Sequence, residues 1–252
     1  MLDESTLAVA DRWWARDFAC DPGELRPAAT RVQEHTGTRV ASTRIWILSV
    51  GPWPLVSLPR AAMGPLGIRA RSWSNALVAD HEALSAAIQP LAIERIVGPA
   101  FIGYAASETL DLSLGTGARA LTRVDDAGVD RLRAACSAEE WEHGGSDPHA
   151  VPTFGCVSEG GVVLAMAGYR VWDGTIAHIS IATAPRERGR GFASAAVACA
   201  ARHALSAGLV PQYRTLASNG PSMAVARKVG FRSYGFSVSV RLQTSQVAPL
   251  TG

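Results

Sequence analysis

From Val151 to Thr183 the chain runs through three short apolar, β-branched stretches. They are joined at Glu159-Gly160-Gly161 and at Asp173-Gly174. Glycine-containing joints of this length reverse a chain between antiparallel neighbours, so the segment is predicted to form three successive antiparallel strands. That arrangement disfavours the doubly wound parallel sheet, whose strands need helical crossovers. The third stretch, "TIAHISIAT" (175–183), runs up to Ala184-Pro185. Arg186, Glu187, Arg188, Gly189 and Arg190 come next, then Gly191 and an alanine-rich segment predicted to be a helix to about Ser206.

A helix head exposes N–H groups with no partner inside the helix, and its dipole adds partial positive charge. Glycines let an anion approach those groups, and arginines add full charge. The residues alone leave two readings: a phosphate site, or a solvated loop with a glycine cap. Gly189 and Gly191 fit the first two glycines of the dinucleotide fingerprint, but Ser194 stands at the third. No acid lies in "GLVPQYRTLAS" (208–218), where a ribose-binding carboxylate is required. The Gly-Lys-Ser/Thr of a Walker loop is missing as well.

The remaining pattern suggests two parts, with domains expected at 1–112 and 113–252. In the first, helices are predicted over 4–19 and 75–89 and a buried strand over 43–50. One or two short strands flank Gly98-Pro99, and a linker is read over 107–118. In the second, the predicted order is β-α-α-β-β-β-α-β-α-β. It begins with a strand at 119–124, a helix at 125–136 with an aspartate cap, and a helix from Ser137 with the capping pattern Ser137-x-x-Glu140. After Ser206 come a strand at 211–217, a helix at 220–229 and closing strands at 231–242.

With 48% hydrophobic and 18% charged residues, the 252-residue chain is expected to bury a core. A net charge of +2 gives no argument for nucleic acid. The acidic N-terminus is not read as a signal peptide, and no stretch of 18 apolar residues suggests a membrane span. Cys20, Cys136, Cys156 and Cys199 show no metal spacing and are read as reduced core thiols of a cytoplasmic protein. No metal site, nucleic-acid partner or membrane partner is expected, and the state is a monomer or homodimer.

Arg188-x-x-Gly191-x-Ala193 resembles the R/Q-x-x-G-x-G/A signature of the GCN5-related N-acetyltransferases (GNAT). The segment from Asn219 through Ser222, Ala226, Lys228 and Gly230 to Phe231 is similar to that family's N-x-x-[AS]…K-x-G-F element. The resemblance covers about 117–242. It implies an α/β (α+β) GNAT fold, with a mixed, mostly antiparallel central sheet flanked by helices. The additional N-terminal α/β domain is left open between a degenerate half of the same kind and another origin. No second signature lies there, so it is expected to bind no coenzyme A.

The resemblance further implies acetyl-coenzyme A as cofactor, and an amine of a small molecule or protein as acceptor. Diphosphate would rest on the backbone of Arg188, Gly189, Arg190, Gly191, Phe192 and Ala193, with Ser194 in reach. The pantetheine arm would pair with Ile181, Ala182 and Thr183, and with Asn219, with Ser222 one turn on. A backbone N–H near Ala182 or Thr183 would face the oxyanion. His178, Ser180 and Glu142 are the candidate catalytic residues. Glu140, Glu142 and His143 are candidates for contact with a cationic acceptor. Trp141, Tyr169 and Trp172 either line its pocket or fill the core. Ala226 stands where many members carry a proton-donating tyrosine, and the strand at 175–183 has no glutamate. An inactive coenzyme A-binding regulatory relative is therefore the alternative.

Overall fold

A computed structural model describes residues 2–243; the last residues of the second expected domain, 244–252, lie outside the described part. In chain order the helices are α1 (Glu4–Phe18), α2 (Arg60–Leu66), α3 (Asn75–Ala79), α4 (His81–Ile88), α5 (Asp126–Ala135), α6 (Ala138–Gly144), α7 (Phe192–Ser206) and α8 (Gly220–Val229). The strands are β1 (Arg31–Glu34), β2 (Arg44–Ser49), β3 (Leu55–Leu58), β4 (Ile93–Tyr104), β5 (Arg119–Ala120), β6 (Thr153–Val157), β7 (Val163–Trp172), β8 (Ile176–Thr183), β9 (Val210–Leu216) and β10 (Arg232–Leu242). No helix among the described residues is long and apolar enough to cross a membrane.

Two compact units emerge, each discontinuous in sequence. One comprises residues 2–9, 103–214 and 220–233; the other comprises 10–102, 215–219 and 234–243. In the second unit the strands lie in the order β1-β3-β2-β10-β4. β1 is parallel to β3, and β2 is antiparallel to both β3 and β10. Ile45, Ile47, Val56, Leu58, Val238 and Val240 alternate onto one face and pack with Leu66, Trp73, Leu84 and Ile88. Trp73, which the sequence pattern did not single out, is a fully buried centre of this core, whereas Trp53 is exposed. Trp13 stands edge-on to Trp14, and Trp46 takes the Arg39 guanidinium on its face.

In the first unit the order is β9-β8-β7-β6-β5. β8 is parallel to β9 and antiparallel to β7, and β6 is antiparallel to β7 and β5. This is the expected mixed, mostly antiparallel sheet. Asp173 and Gly174 both take positive φ at the β7–β8 turn, as a tight hairpin requires. Met166 and Ala182 face Val129, Leu132 and Trp141 of α5 and α6. Tyr169, of opposite parity, bonds His203 of α7 on the other face. Helices thus cover both sides of the sheet.

Several local expectations change. The helix read at 75–89 breaks at Asp80, whose side chain caps α4 by accepting from the Glu82 and Ala83 N–H groups. Of the one or two short strands read around Gly98-Pro99, the structure has one, β4, in which Gly98 (φ +132°) allows close approach to Ser237. The 107–118 stretch is no linker: Leu110 is buried, Leu112–Gly117 is a 3₁₀ turn, and Gly115 lies against the Arg202 guanidinium of α7. The strand read at 119–124 shrinks to two residues because Thr122 and Asp125 form a capping box. Asp125, 4% exposed, also accepts both arms of Arg119, which holds its carboxyl below the usual range. Of the cysteines, only Cys156 is a core thiol; the other three are half-buried.

α8 ends in a Schellman turn, with the Gly230 N–H donating to Arg227 and the Phe231 N–H to Ala226. Gly230 has φ +106°, and a Cβ there would lie 1.9 Å from the Thr109 carbonyl oxygen. Gly230→Ala is expected to cost about 2–4 kcal/mol and to lower the melting temperature by roughly 5–15 °C. Gly220→Ala, in open space at the head of the same helix, should leave it unchanged. Thermal unfolding of the two variants checks this.

Candidate functional site

β8 keeps its pairing with β7 as far as Thr183, opposite Ala165. Its parallel pairing with β9 stops at Ile179, opposite Tyr213. Beyond that rung one edge of β8 is open. The Ala184 N–H donates to the Leu164 carbonyl, so even-numbered residues of β8 direct their backbone groups to β7. Ile181 and Thr183 then direct theirs to the open edge. Of the predicted pairing residues, Ala182 is thus turned away, its side chain in the core with Met166. The edge is lined by the end of α6: a Cβ on Gly144 would lie 2.2 Å from the Ile181 carbonyl oxygen. The Cys136 thiol approaches the Thr183 carbonyl at 4.0 Å.

The open edge leads into a 3₁₀ turn, Pro185–Glu187, and then to the head of α7. Gly189 (φ +78°) and Gly191 (φ +89°) are both left-handed, with nothing within 4 Å of where a Cβ would stand. Gly191 is the N-cap and supplies no side-chain cap. The N–H groups of Phe192, Ala193 and Ser194, in the first turn, have no acceptor within the helix. The Ser194 side chain is buried in the core, so this residue has only its backbone to offer. Behind the head Ala196, Val197, Ala198, Ala200 and Ala201 are buried; their small volume lets α7 lie close on the sheet.

The loop carries less free charge than its composition suggests. Arg188 pairs with Glu140 of α6 at 2.6 Å, and Arg190 pairs with Glu187 while lying over the Phe192 ring. Glu140 is therefore engaged with the loop, in addition to its capping box with Ser137. Glu142 and His143 are exposed on α6. Trp141 packs on the α5 core under Arg133, and Tyr169 is buried against His203; both fill the core.

His178 and Ser180 share the α6 face of β8, as expected. Their hydrogen-bond partners are new. The Gln212 amide donates to the Tyr104 hydroxyl at 2.6 Å and accepts from the Nδ1–H of His178 at 3.0 Å. This fixes the tautomer and leaves the Nε2 lone pair available. Trp172 stacks on the imidazole, 4.0 Å between centroids and 14° between planes. Burial, and then the positive charges of Arg214 and Arg170, push the His178 pKa down to about 4 against the opposing Gln212 bond. Ser180 bonds Ser146 of the α6–β6 loop at 2.8 Å.

Ser222 of α8 bonds the Tyr213 hydroxyl at 2.9 Å, at the last β8–β9 rung. Burial raises the pKa of that tyrosine and keeps it protonated. Asn219 donates its N–H to the Leu216 carbonyl in the turn before α8. Ala226 is fully buried, a packing position.

Residues 122–231 match the model of the acetyltransferase (GNAT) family. No curated protein matches the chain in sequence. Among solved structures, the chain is similar to a putative GNAT acetyltransferase from Novosphingobium aromaticivorans, with 22% identity and a TM-score of 0.45 over 60% of this chain and 66% of that one. It is also similar to a GNAT-family acetyltransferase from Colwellia psychrerythraea, with 18% identity and a TM-score of 0.49 over 64% and 61%. A tandem GNAT protein from the clavulanic acid biosynthesis pathway matches at 12% identity and a TM-score of 0.42, over 63% and 57%. The chain thus spans less than two thirds of the length of these relatives. The segment 122–231 is a domain of the GNAT acetyltransferase family.

Proposed function

We propose that this domain transfers an acetyl group from acetyl-coenzyme A directly to the amine of a small molecule or protein. The coarser part, acyl transfer from an acyl-coenzyme A, follows from the family. The observation that carries the reading is the parting of β8 from β9 after Ile179. It leads an open strand edge straight into an uncapped helix head. An extended amide-bearing arm suits the first, and a diphosphate suits the second.

In this reading the N–H groups from Arg188 to Ser194 hold the diphosphate, with Gly189 and Gly191 leaving room for it. Ile181 and Thr183 hold the arm, with Ser222 further along. Coenzyme A supplies a thioester, whose acyl carbon an uncharged amine can attack. The chain's part is to present that amine uncharged, since alkyl ammonium groups have pKa values near 10. His178 accepts a hydrogen bond at Nε2 but stores no proton: with its pKa near 4, the imidazolium costs about 4 kcal/mol at pH 7. The amine's proton leaves instead to solvent through a water hydrogen-bonded at Nε2, and the Thr183 N–H would face the developing oxyanion. The fully buried Ala226 and a β8 without a carboxylate favour a second reading, a coenzyme A-binding protein without turnover.

Thiol release from acetyl-coenzyme A in the presence of an amine panel decides between the two. Gly191→Glu is expected to abolish coenzyme A binding, measured by calorimetry, with the fold retained by circular dichroism. Gly191→Ala separates backbone strain from charge and should weaken binding by no more than about tenfold. Undiminished affinity in the glutamate variant removes the diphosphate site.

His178 should titrate near pH 4 by NMR. Because the unfolded chain binds that proton at about 6.5, stability is expected to fall as the pH drops from 6.5 towards 4. His178→Gln should flatten that slope in denaturant melts. An imidazole titrating at 6.5 contradicts the buried, arginine-flanked setting.

A further inference from the structure

The α6 face of β8 carries arginines on both neighbouring strands around His178, where the reading above sets the acceptor amine. Arg170 lies directly opposite His178 on β7, and Gln212 lies opposite it on β9. Residues 212 and 214 of β9 share a face, so Arg214 follows Gln212 on the side that carries His178. His178 is thus flanked by a guanidinium on either neighbouring strand, and both raise the local potential. Of the carboxylates on the α6 side, one is ion-paired and one is bonded to a backbone N–H, while Glu142 is exposed. Glu140 pairs with Arg188, and Asp147 accepts the N–H of His149. The arginines of this face favour a partner that brings negative charge over the cationic acceptor expected at Glu140, Glu142 and His143.

An ammonium group approaching two guanidiniums is repelled unless its molecule brings a compensating anion. Once held, it loses its proton more readily, because like charges disfavour its charged form. The same two arginines would therefore select the acceptor and help uncharge it, which eases the demand on a weakly basic histidine. Arginine binds carboxylates through two parallel hydrogen bonds, and Arg170 is exposed on β7.

We propose that the acceptor is an amine that carries a carboxylate a few bonds from its nitrogen, with Arg170 as the principal carboxylate ligand and Arg214 reinforcing the field. This rests on the transferase reading above. The Trp172 ring covers one face of the His178 imidazole and leaves its in-plane Nε2 lone pair uncovered by the stack.

The test is thiol release by the full chain with saturating acetyl-coenzyme A and matched acceptor pairs: glycine against glycinamide, and 4-aminobutyrate against its amide. Rates are referred to the concentration of free amine. The carboxylate member of at least one pair is expected to show a kcat/KM higher by about 10- to 100-fold. Arg170→Gln is expected to cut that ratio by about tenfold, mainly through KM. Turnover with equal or greater preference for the amides overturns the inference and leaves the transferase reading standing. So does a preference that Arg170→Gln fails to change. Absence of thiol release with every amine, while coenzyme A binds, overturns the transferase reading and the inference with it.

Discussion

The site depends on where one strand ladder stops. β8 is held on one side by β7 along its whole length, and on the other by β9 for only four rungs. A strand paired on both edges offers no backbone to a ligand; a strand paired on neither would not hold its shape. Pairing on one edge fixes Ile181 and Thr183 in extended geometry while leaving their outer amides available. The tie to β7 persists through Ala184, one residue before the chain turns into the head of α7. The strand edge and the helix head are therefore held as one line of donors, preorganised by the hairpin that joins β7 to β8.

Much of this was legible in local patterns. The two hairpins, the capping box at Ser137 and the alanine-rich helix α7 are written in short stretches, so periodicity and turn chemistry find them. The misread segments are those where tertiary contacts override local preference. Asp80 interrupts a good helical pattern because its side chain caps the following turn. Leu112–Gly117, polar and rich in glycine, folds because Gly115 admits the Arg202 side chain. β10 lies with β2 although nearly 190 residues separate them, so a boundary drawn along the sequence meets discontinuous units.

The surroundings of His178 and Ser180 were less legible, for the same reason. His178 and Ser180 stand out in their strand, but what tunes them is distant in sequence. Gln212 and Ser146 each lie 34 positions away from the residue they bond, and Tyr104 lies 108 positions from Gln212. No motif links such residues; only the register of three strands does. Charge was misjudged in a similar way. Counting arginines at 186–190 suggested a concentrated positive loop, yet Glu140 and Glu187 each neutralise one of them.

That redistribution bears on how binding is driven. With Arg188 and Arg190 already paired at the surface, a diphosphate arriving at the helix head gains little from replacing one carboxylate by another, because exposed ion pairs are worth only about 0–1 kcal/mol. The larger gain comes from amides that have no other acceptor, several of which converge at one short turn. Glycine at positions 189 and 191 is then required twice over: it permits the left-handed backbone that aims the amides, and it leaves the space in front of them empty. With two of the arginines paired, what the loop offers to the proposed diphosphate is its backbone rather than its guanidinium groups.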